Sequence, residues 1–289
     1  MSGLARDEQI AARLTRDGYG AVRGTLTEID VLVSQIVDFD AIVYTPRVSF
    51  AEEGQALGPL VGSLEGTGKA FVFVTGTGVM AVNAHRGEWR HEIFAEDDPF
   101  VALPWMQQRV DVENAFLTAA QRGVRAMLLR PPHVWGHGNS TLVRGLVEGY
   151  RKTGEVNYVG HGLHTYAHVH VDDLGELGRL VVERGVAGGV YNAIGGESDF
   201  RTMARATARL LGCEARSITV DQTRAIWGEF MGPILFATSC PARGPRAREL
   251  GWVPQHVDIE VDIAGGGYEH VQLGESFDLA TQKRLGVID

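Results

Sequence analysis

Three stretches of this chain put hydroxyl, imidazole and glycine chemistry side by side. The first, Val74-Thr75-Gly76-Thr77-Gly78, places a hydroxyl directly after an apolar run. A hydroxyl at a strand end, beside glycines that let a ligand come close, suits hydrogen bonding to a substrate oxygen. A glycine turn with a capping threonine would read the same way. The second stretch is Arg130-Pro131-Pro132-His133-Val134-Trp135-Gly136-His137-Gly138. His133 and His137 are its candidate general bases, because imidazole titrates near neutral pH. The third runs from His161 to Asp173 and carries His164, Tyr166, His168 and His170. His168 and His170 share a face if they lie on a strand. Two imidazoles are short of the three or four ligands a metal needs, so no metal is expected. Trp135, His164 and Tyr166 are the expected substrate contacts.

The glycine clusters elsewhere lack the right setting. Ala264-Gly265-Gly266-Gly267-Tyr268 contains no G-x-G-x-x-G opening a helix. Gly66-Thr67-Gly68-Lys69 precedes a strand-like run instead of following one, which is wrong for a phosphate-binding loop.

The elements that must position these groups alternate between two periods. Residues 21–26, 41–44, 70–75, 124–130 and 189–194 are apolar or β-branched and read as strands. The run Ala70-Phe71-Val72-Phe73-Val74-Thr75 is continuous, as in a strand buried on both faces. Helical spacing joins Val112, Ala115, Phe116, Ala119 and Ala120, with Gly123 placed to end the helix. Met203, Ala206, Thr207, Leu210 and Leu211 repeat it before Gly212. Asp173 and Glu176 suggest a capped helix start. Strands alternating with helices imply an α/β fold with a mainly parallel sheet, whose function collects at the strand C-termini.

Composition narrows the classes. With 27 basic and 36 acidic residues among 289, the net charge is −9. A nucleic-acid or anionic-membrane binder needs a basic face, so neither partner is expected. No apolar run approaches the length of a membrane span, and the acidic N-terminus does not read as a signal peptide. Two cysteines, Cys213 and Cys240, form no disulfide framework and suit a reducing cytoplasm.

The order of these pieces resembles the extended or atypical short-chain dehydrogenase/reductases, the NAD-dependent epimerase/dehydratase group. The resemblance rests on Phe73-Val74-Thr75-Gly76-Thr77-Gly78-Val79, Glu96-Asp97-Asp98-Pro99, Gly123-Val124-Arg125 through Arg130-Pro131 to Gly136, Val169-His170-Val171-Asp172-Asp173-Leu174, and Glu249-Leu250-Gly251-Trp252-Val253-Pro254. It implies one epimerase/dehydratase-like domain over residues 1–289. The Rossmann-like core would span about 1–138 and 171–195, and a substrate lobe about 139–170 and 196–289.

The departures from that pattern carry as much information. The family opens with a strand and a glycine-rich turn that cradles the cofactor pyrophosphate. Here Gly3-Leu4-Ala5-Arg6 resembles the end of the family's second strand, and the glycine turn is not found. Arg6 falls where an NADP 2′-phosphate is often read. Gly24 belongs to a Gly-Thr-Leu where the family has Gly-Asp-Leu, and Pro46 replaces a small residue flanking the cofactor. Pro131 completes the candidate cofactor contacts. Thr75 takes the family's serine position. The Tyr-x-x-x-Lys pair aligns with Trp105 and Arg109, and tryptophan cannot give a proton as a phenol does.

The expected reaction centre therefore joins Thr75, Arg109, His133 and His137, with Trp105 as an apolar wall. The leading expectation is non-redox acid–base chemistry on a small carbonyl, hydroxyl or sugar-like substrate, of isomerase, lyase or dehydratase type, with no cofactor required and NAD(P) binding lost or weak. The alternatives are an NAD(P)-dependent oxidoreductase or epimerase, and a non-catalytic binding relative. A homodimer through the helix carrying Val112, Phe116 and Ala120 is also expected.

Overall fold

The computed structural model describes residues 1–45 and 47–268; the substitution read at Pro46 lies outside them. The central sheet has four parallel strands in the order Val190–Asn192, Arg125–Arg130, Ala70–Val74, Ala41–Tyr44. Ala70–Val74 lies inside it, as its unbroken apolar run requires. Phe71 and Phe73 turn to one face and pack with Tyr44, Phe116 and Leu128. Ala70 and Val72 turn to the other, against Met127, Leu177 and Val181. Each buried phenylalanine stabilises the fold by about 1.5–3 kcal/mol.

Helices cover both faces. Phe50–Gly62 starts at a capping box in which Ser49 and Glu52 satisfy each other's backbone N–H groups. Gln107–Leu117 continues through a tight 3₁₀ turn to Gly123, whose φ of 79° is the left-handed stop that glycine supplies. Phe116, expected at a dimer surface, is buried against Phe71 and Phe73. Val171–Arg184 begins three residues before the place the Asp173–Glu176 spacing implies. His170 is its cap, accepting the Asp172 N–H at 3.2 Å. The Asp173 carboxylate instead accepts the N–H groups of Gln255 and His256.

A second sheet of four strands runs Gly196–Asp199, Thr165–His170, His133–Gly136, Asn139–Ser140. Thr165–His170 and His133–Gly136 are parallel, and the outer two pairings are antiparallel. This sheet packs with the Thr141–Thr153 and Phe200–Leu211 helices over a core that includes Trp135, Leu146, Phe200, Trp227 and Phe236. At the other edge, Ser2–Ala5 and Gly20–Arg23 form a separate parallel pair around the Glu8–Arg16 helix. The second of these strands ends at Arg23, short of the expected Leu26. An apolar slot of about 180 Å3, lined by Leu4, Val22, Leu32, Ile42 and Tyr44, separates this pair from the Ala41–Tyr44 edge.

Candidate functional site

A cleft of about 470 Å3 opens at the C-terminal ends of Ala70–Val74 and Arg125–Arg130. This volume is in the range of small-molecule and cofactor sites. Its lining includes Thr45, Thr75, Gly78, Pro131, His133 and Tyr166, with Arg47 at its edge. The two rims are tied by backbone bonds. Thr75 N–H donates to Leu129 C=O at 2.9 Å, and Thr77 N–H to Pro131 C=O at 3.0 Å.

Within this lining the side chain of Thr75 stands apart. Its Oγ1 is buried and has no hydrogen-bond partner among the described residues. A buried hydroxyl left unmatched costs about 1–3 kcal/mol, so an orphan in a cleft marks a place where a ligand atom would be held.

Tyr166 enters from the second sheet. Its ring stands edge-on to His133 at 6.5 Å. Gly78 leaves room in front of its hydroxyl, since a Cβ there would sit 4.0 Å from the phenol oxygen. Burial, with the Cys240 thiol alongside, raises the phenol well above its ordinary pKa. It is protonated at neutral pH. Cys240 is itself buried and donates to the Thr77 carbonyl at 3.2 Å, and burial pushes its thiol up to about 11.

His133 lies in the cleft, but not as the near-neutral base expected of it. Burial, with His168 nearby, pushes its pKa down to about 3. Its Nε2 is 2.7 Å from Ser140 Oγ, the side chain that also caps the Thr141–Thr153 helix. The ring is neutral and fixed. His137 has the raised pKa, because Asp172 binds it at 3.0 Å. It is exposed on the turn after His133–Gly136, outside the cleft lining.

Arg109 is not at the rim. It shares a buried helix face with Glu113 and Phe116, pairs with Glu53 at 2.6 Å, and stands 4.4 Å from the centre of the Phe50 ring. Trp105 lines a different pocket of about 300 Å3, with Arg224 and Glu229. Trp135 and His164 belong to the interior. The indole donates to His168 Nδ1 at 3.0 Å. His164 stacks on Phe200 at 4.2 Å, with Nε2 2.9 Å from the Phe236 carbonyl. Arg6 is exposed, 3.5 Å from Asp7, and Gly24 packs on Leu32 and Leu4.

Of the expected residues, the structure thus gathers Thr75, Pro131, His133 and Tyr166 in one cleft. It adds Thr45 and Arg47, which follow the strand at 41–44 and were legible there only as a strand exit.

Residues 104–194 match the NAD dependent epimerase/dehydratase family. The fold is similar to that of solved dTDP-glucose 4,6-dehydratases. An uncharacterized protein of Saccharomyces cerevisiae is 29% identical over 273 residues, covering 90% of this chain and 88% of its own. One of Schizosaccharomyces pombe is 28% identical over 279 residues, covering 92% and 90%. Among solved structures, a dTDP-glucose 4,6-dehydratase of Streptomyces venezuelae with NAD bound has a TM-score of 0.70 at 20% identity, covering 93% of this chain and 86% of its own. The UDP-glucuronic acid 4-epimerase of Bacillus cereus, with UDP-glucuronic acid and NAD, has 0.66 at 14% identity, covering 93% and 90%. A human epimerase family protein with NADPH has 0.65 at 14% identity, covering 90% and 95%.

These matches correct the cofactor expectation. Structures that share this epimerase/dehydratase fold over nine-tenths of the chain hold NAD or NADPH, so loss of the cofactor does not follow from the altered motifs. The cleft itself is compatible with such a group. It keeps the orphan Thr75 hydroxyl, Gly78 beside the Tyr166 hydroxyl where a Cβ would still fit, and Arg47 in its lining. Among the described residues, no helix is long and apolar enough to cross a membrane.

Proposed function

We propose that this chain is an NAD(P)-dependent enzyme of the short-chain dehydrogenase type. Its substrate is a small, sugar-like molecule, and it acts at a hydroxyl-bearing or carbonyl carbon by oxidation–reduction, epimerisation or dehydration. The observation that carries the reading is the buried, unpartnered Thr75 hydroxyl in a strand-end cleft shared with Tyr166.

Residues Thr45, Thr75, Pro131 and Arg47 would hold the nicotinamide side of the cofactor and the substrate between the strand ends. When bound, the cofactor supplies or accepts a hydride. Thr75 hydrogen-bonds the substrate oxygen and fixes its position. Tyr166 keeps its proton at neutral pH and donates to the same oxygen as negative charge grows there. It thereby fills, from a different element, the phenol role absent at Trp105. His133, neutral and held by Ser140, is a rigid wall of the cleft.

The test begins with fluorescence or calorimetric titration of NAD+, NADH, NADP+ and NADPH. At least one form should bind with a Kd below about 100 µM, roughly 5.5 kcal/mol. A metabolite panel with that form then supplies a substrate. On it, Thr75→Val and Tyr166→Phe should each lower kcat/KM at least about tenfold, or 1.4 kcal/mol, while Thr75→Ser stays near the parent. Failure of all four forms to bind, or full activity in both variants, would sink the reading.

A further inference from the structure

Away from the cleft, a group of imidazoles and carboxylates gathers where the turn after His133–Gly136 meets the start of the Val171–Arg184 helix. Asp172 Oδ2 lies 3.1 Å from His137 Nε2 and 3.7 Å from His170 Nδ1. One ligand atom from each of His137, His170 and Asp172 lies within 4.8 Å of the other two. Four ligands around a tetrahedral zinc ion, at about 2.0–2.1 Å, stand about 3.3 Å from one another. Two of the three spacings here are already close to that value. Only the two imidazoles, within 4.8 Å of each other, must draw together, and the His137 side chain is exposed.

A second trio, His170, Asp173 and His256, is equally tight. Its carboxylate is already committed. Asp173 accepts the backbone N–H groups of Gln255 and His256 at 3.0 and 2.8 Å. Asp172 has its hydrogen bonds to His137. The first trio therefore offers the freer ligand set. The His256 ring, stacked on His170 at 4.1 Å between centres, stands beside it.

We propose that His137, His170 and Asp172 bind one divalent transition-metal ion of the zinc class, with the exposed side open to water or to His256. Two imidazole nitrogens and one carboxylate select such an ion over magnesium or calcium, which take oxygen ligands. Binding displaces the Asp172 N–H from His170 Nδ1. The ion would then clip the strand that carries His133 to the helix that follows His170. This proposal is independent of the cofactor reading, because none of the three ligands lines the cleft.

The experiment is equilibrium dialysis of tag-free protein against zinc chloride at pH 7.5, with metal counted by mass spectrometry. A cobalt(II) titration read by visible absorption reports ligand geometry. The expected result is one ion per chain, a Kd below about 10 µM, and a Tm that rises with zinc. His137→Ala and Asp172→Asn change exposed side chains and should keep the parent's circular dichroism. Each should weaken binding at least tenfold and remove the cobalt bands, whereas Asp173→Asn is not a first-choice ligand change and His256→Ala should weaken binding less than His137→Ala. Less than one tenth of an ion per chain, or unchanged affinity in both His137→Ala and Asp172→Asn, overturns the proposal.

Discussion

Arg109 Nη1 lies 2.6 Å from Glu53 Oε2, and both side chains are sealed from water, at 2% and 1% exposure. The pair joins the Gln107–Leu117 helix to the Phe50–Gly62 helix beneath the sheet. Desolvating two charges is expensive, and removing one leaves the other buried without its counter-charge. Arg109→Ala should therefore cost about 3–5 kcal/mol. For a chain of this size that lowers Tm by very roughly 10 °C. Replacing both partners by apolar residues, as in Arg109→Met with Glu53→Leu, should recover most of the loss. Chemical denaturation measures both. An Arg109→Ala protein with the parent's stability and no activity would return Arg109 to the catalytic set.

Thr75 offers the opposite trade. Its hydroxyl is unmatched in the fold, so Thr75→Val, which keeps the shape and removes the polar atom, should stabilise the free protein by about 1 kcal/mol. The same change should depress activity as described above. A variant that is both less stable and less active would show that the hydroxyl has a structural partner.

What the sequence made legible was whatever depends on local periodicity. The strand at Ala70–Val74 shows itself because both of its faces are buried, and Gly123 because only glycine ends a helix so cheaply at φ 79°. Thr75 could be found because strand exit, hydroxyl and glycine are adjacent in the chain. Arg109 could not, since its partner Glu53 is 56 residues away and the helix's buried face is charged where an apolar one would be recognisable. Tyr166 stands in the sequence as a candidate substrate contact, but its place in the same cleft as Thr75 depends on the pairing of Thr165–His170 with His133–Gly136, which no local pattern announces. His170 hid the helix start by capping it with a ring nitrogen instead of the usual oxygen.

Gly87 and Gly160 make another prediction from a contact distant in sequence. Gly87 has φ +64° and Gly160 φ +53°, and the two loops cross with Leu163 N–H bonded to Gly87 C=O at 2.7 Å. A Cβ on Gly87 would stand 1.9 Å from Val159 O, and one on Gly160 would stand 1.9 Å from Arg86 O. Backbone oxygens cannot step aside as a flexible side chain can. Gly87→Ala should thus cost several kcal/mol, on the scale of strain plus overpacking at one site. Gly154→Ala is the control, with a comparable φ of +78° and nothing within 4 Å, and should cost about 1 kcal/mol. Equal losses in the two variants would mean that the loops can separate.

The buried imidazoles set a dependence of stability on pH. Burial lowers His133 to about 3, and His164 and His168 to about 4, in the folded chain. In the unfolded chain all three titrate near 6.5. Above that value neither state binds the proton, and the three rings cost nothing. As pH falls below 6.5, the unfolded state takes up protons that the folded state refuses. Linkage then erodes stability by up to about 1.4 kcal/mol per pH unit for each ring, until the folded values are reached. Three rings together give a slope approaching about 4 kcal/mol per unit between about pH 6 and 4. His137 shifts the other way, but it is exposed and screened by water, so it does not reverse the trend. Urea denaturation at half-unit steps from pH 7.5 to 4.5 reads the slope directly. His164→Phe, which keeps an aromatic ring against Phe200, should flatten the profile by about a third even if it lowers stability at pH 7. A profile flat from pH 7 to 5 would mean that these rings are hydrated in solution and titrate near their ordinary values.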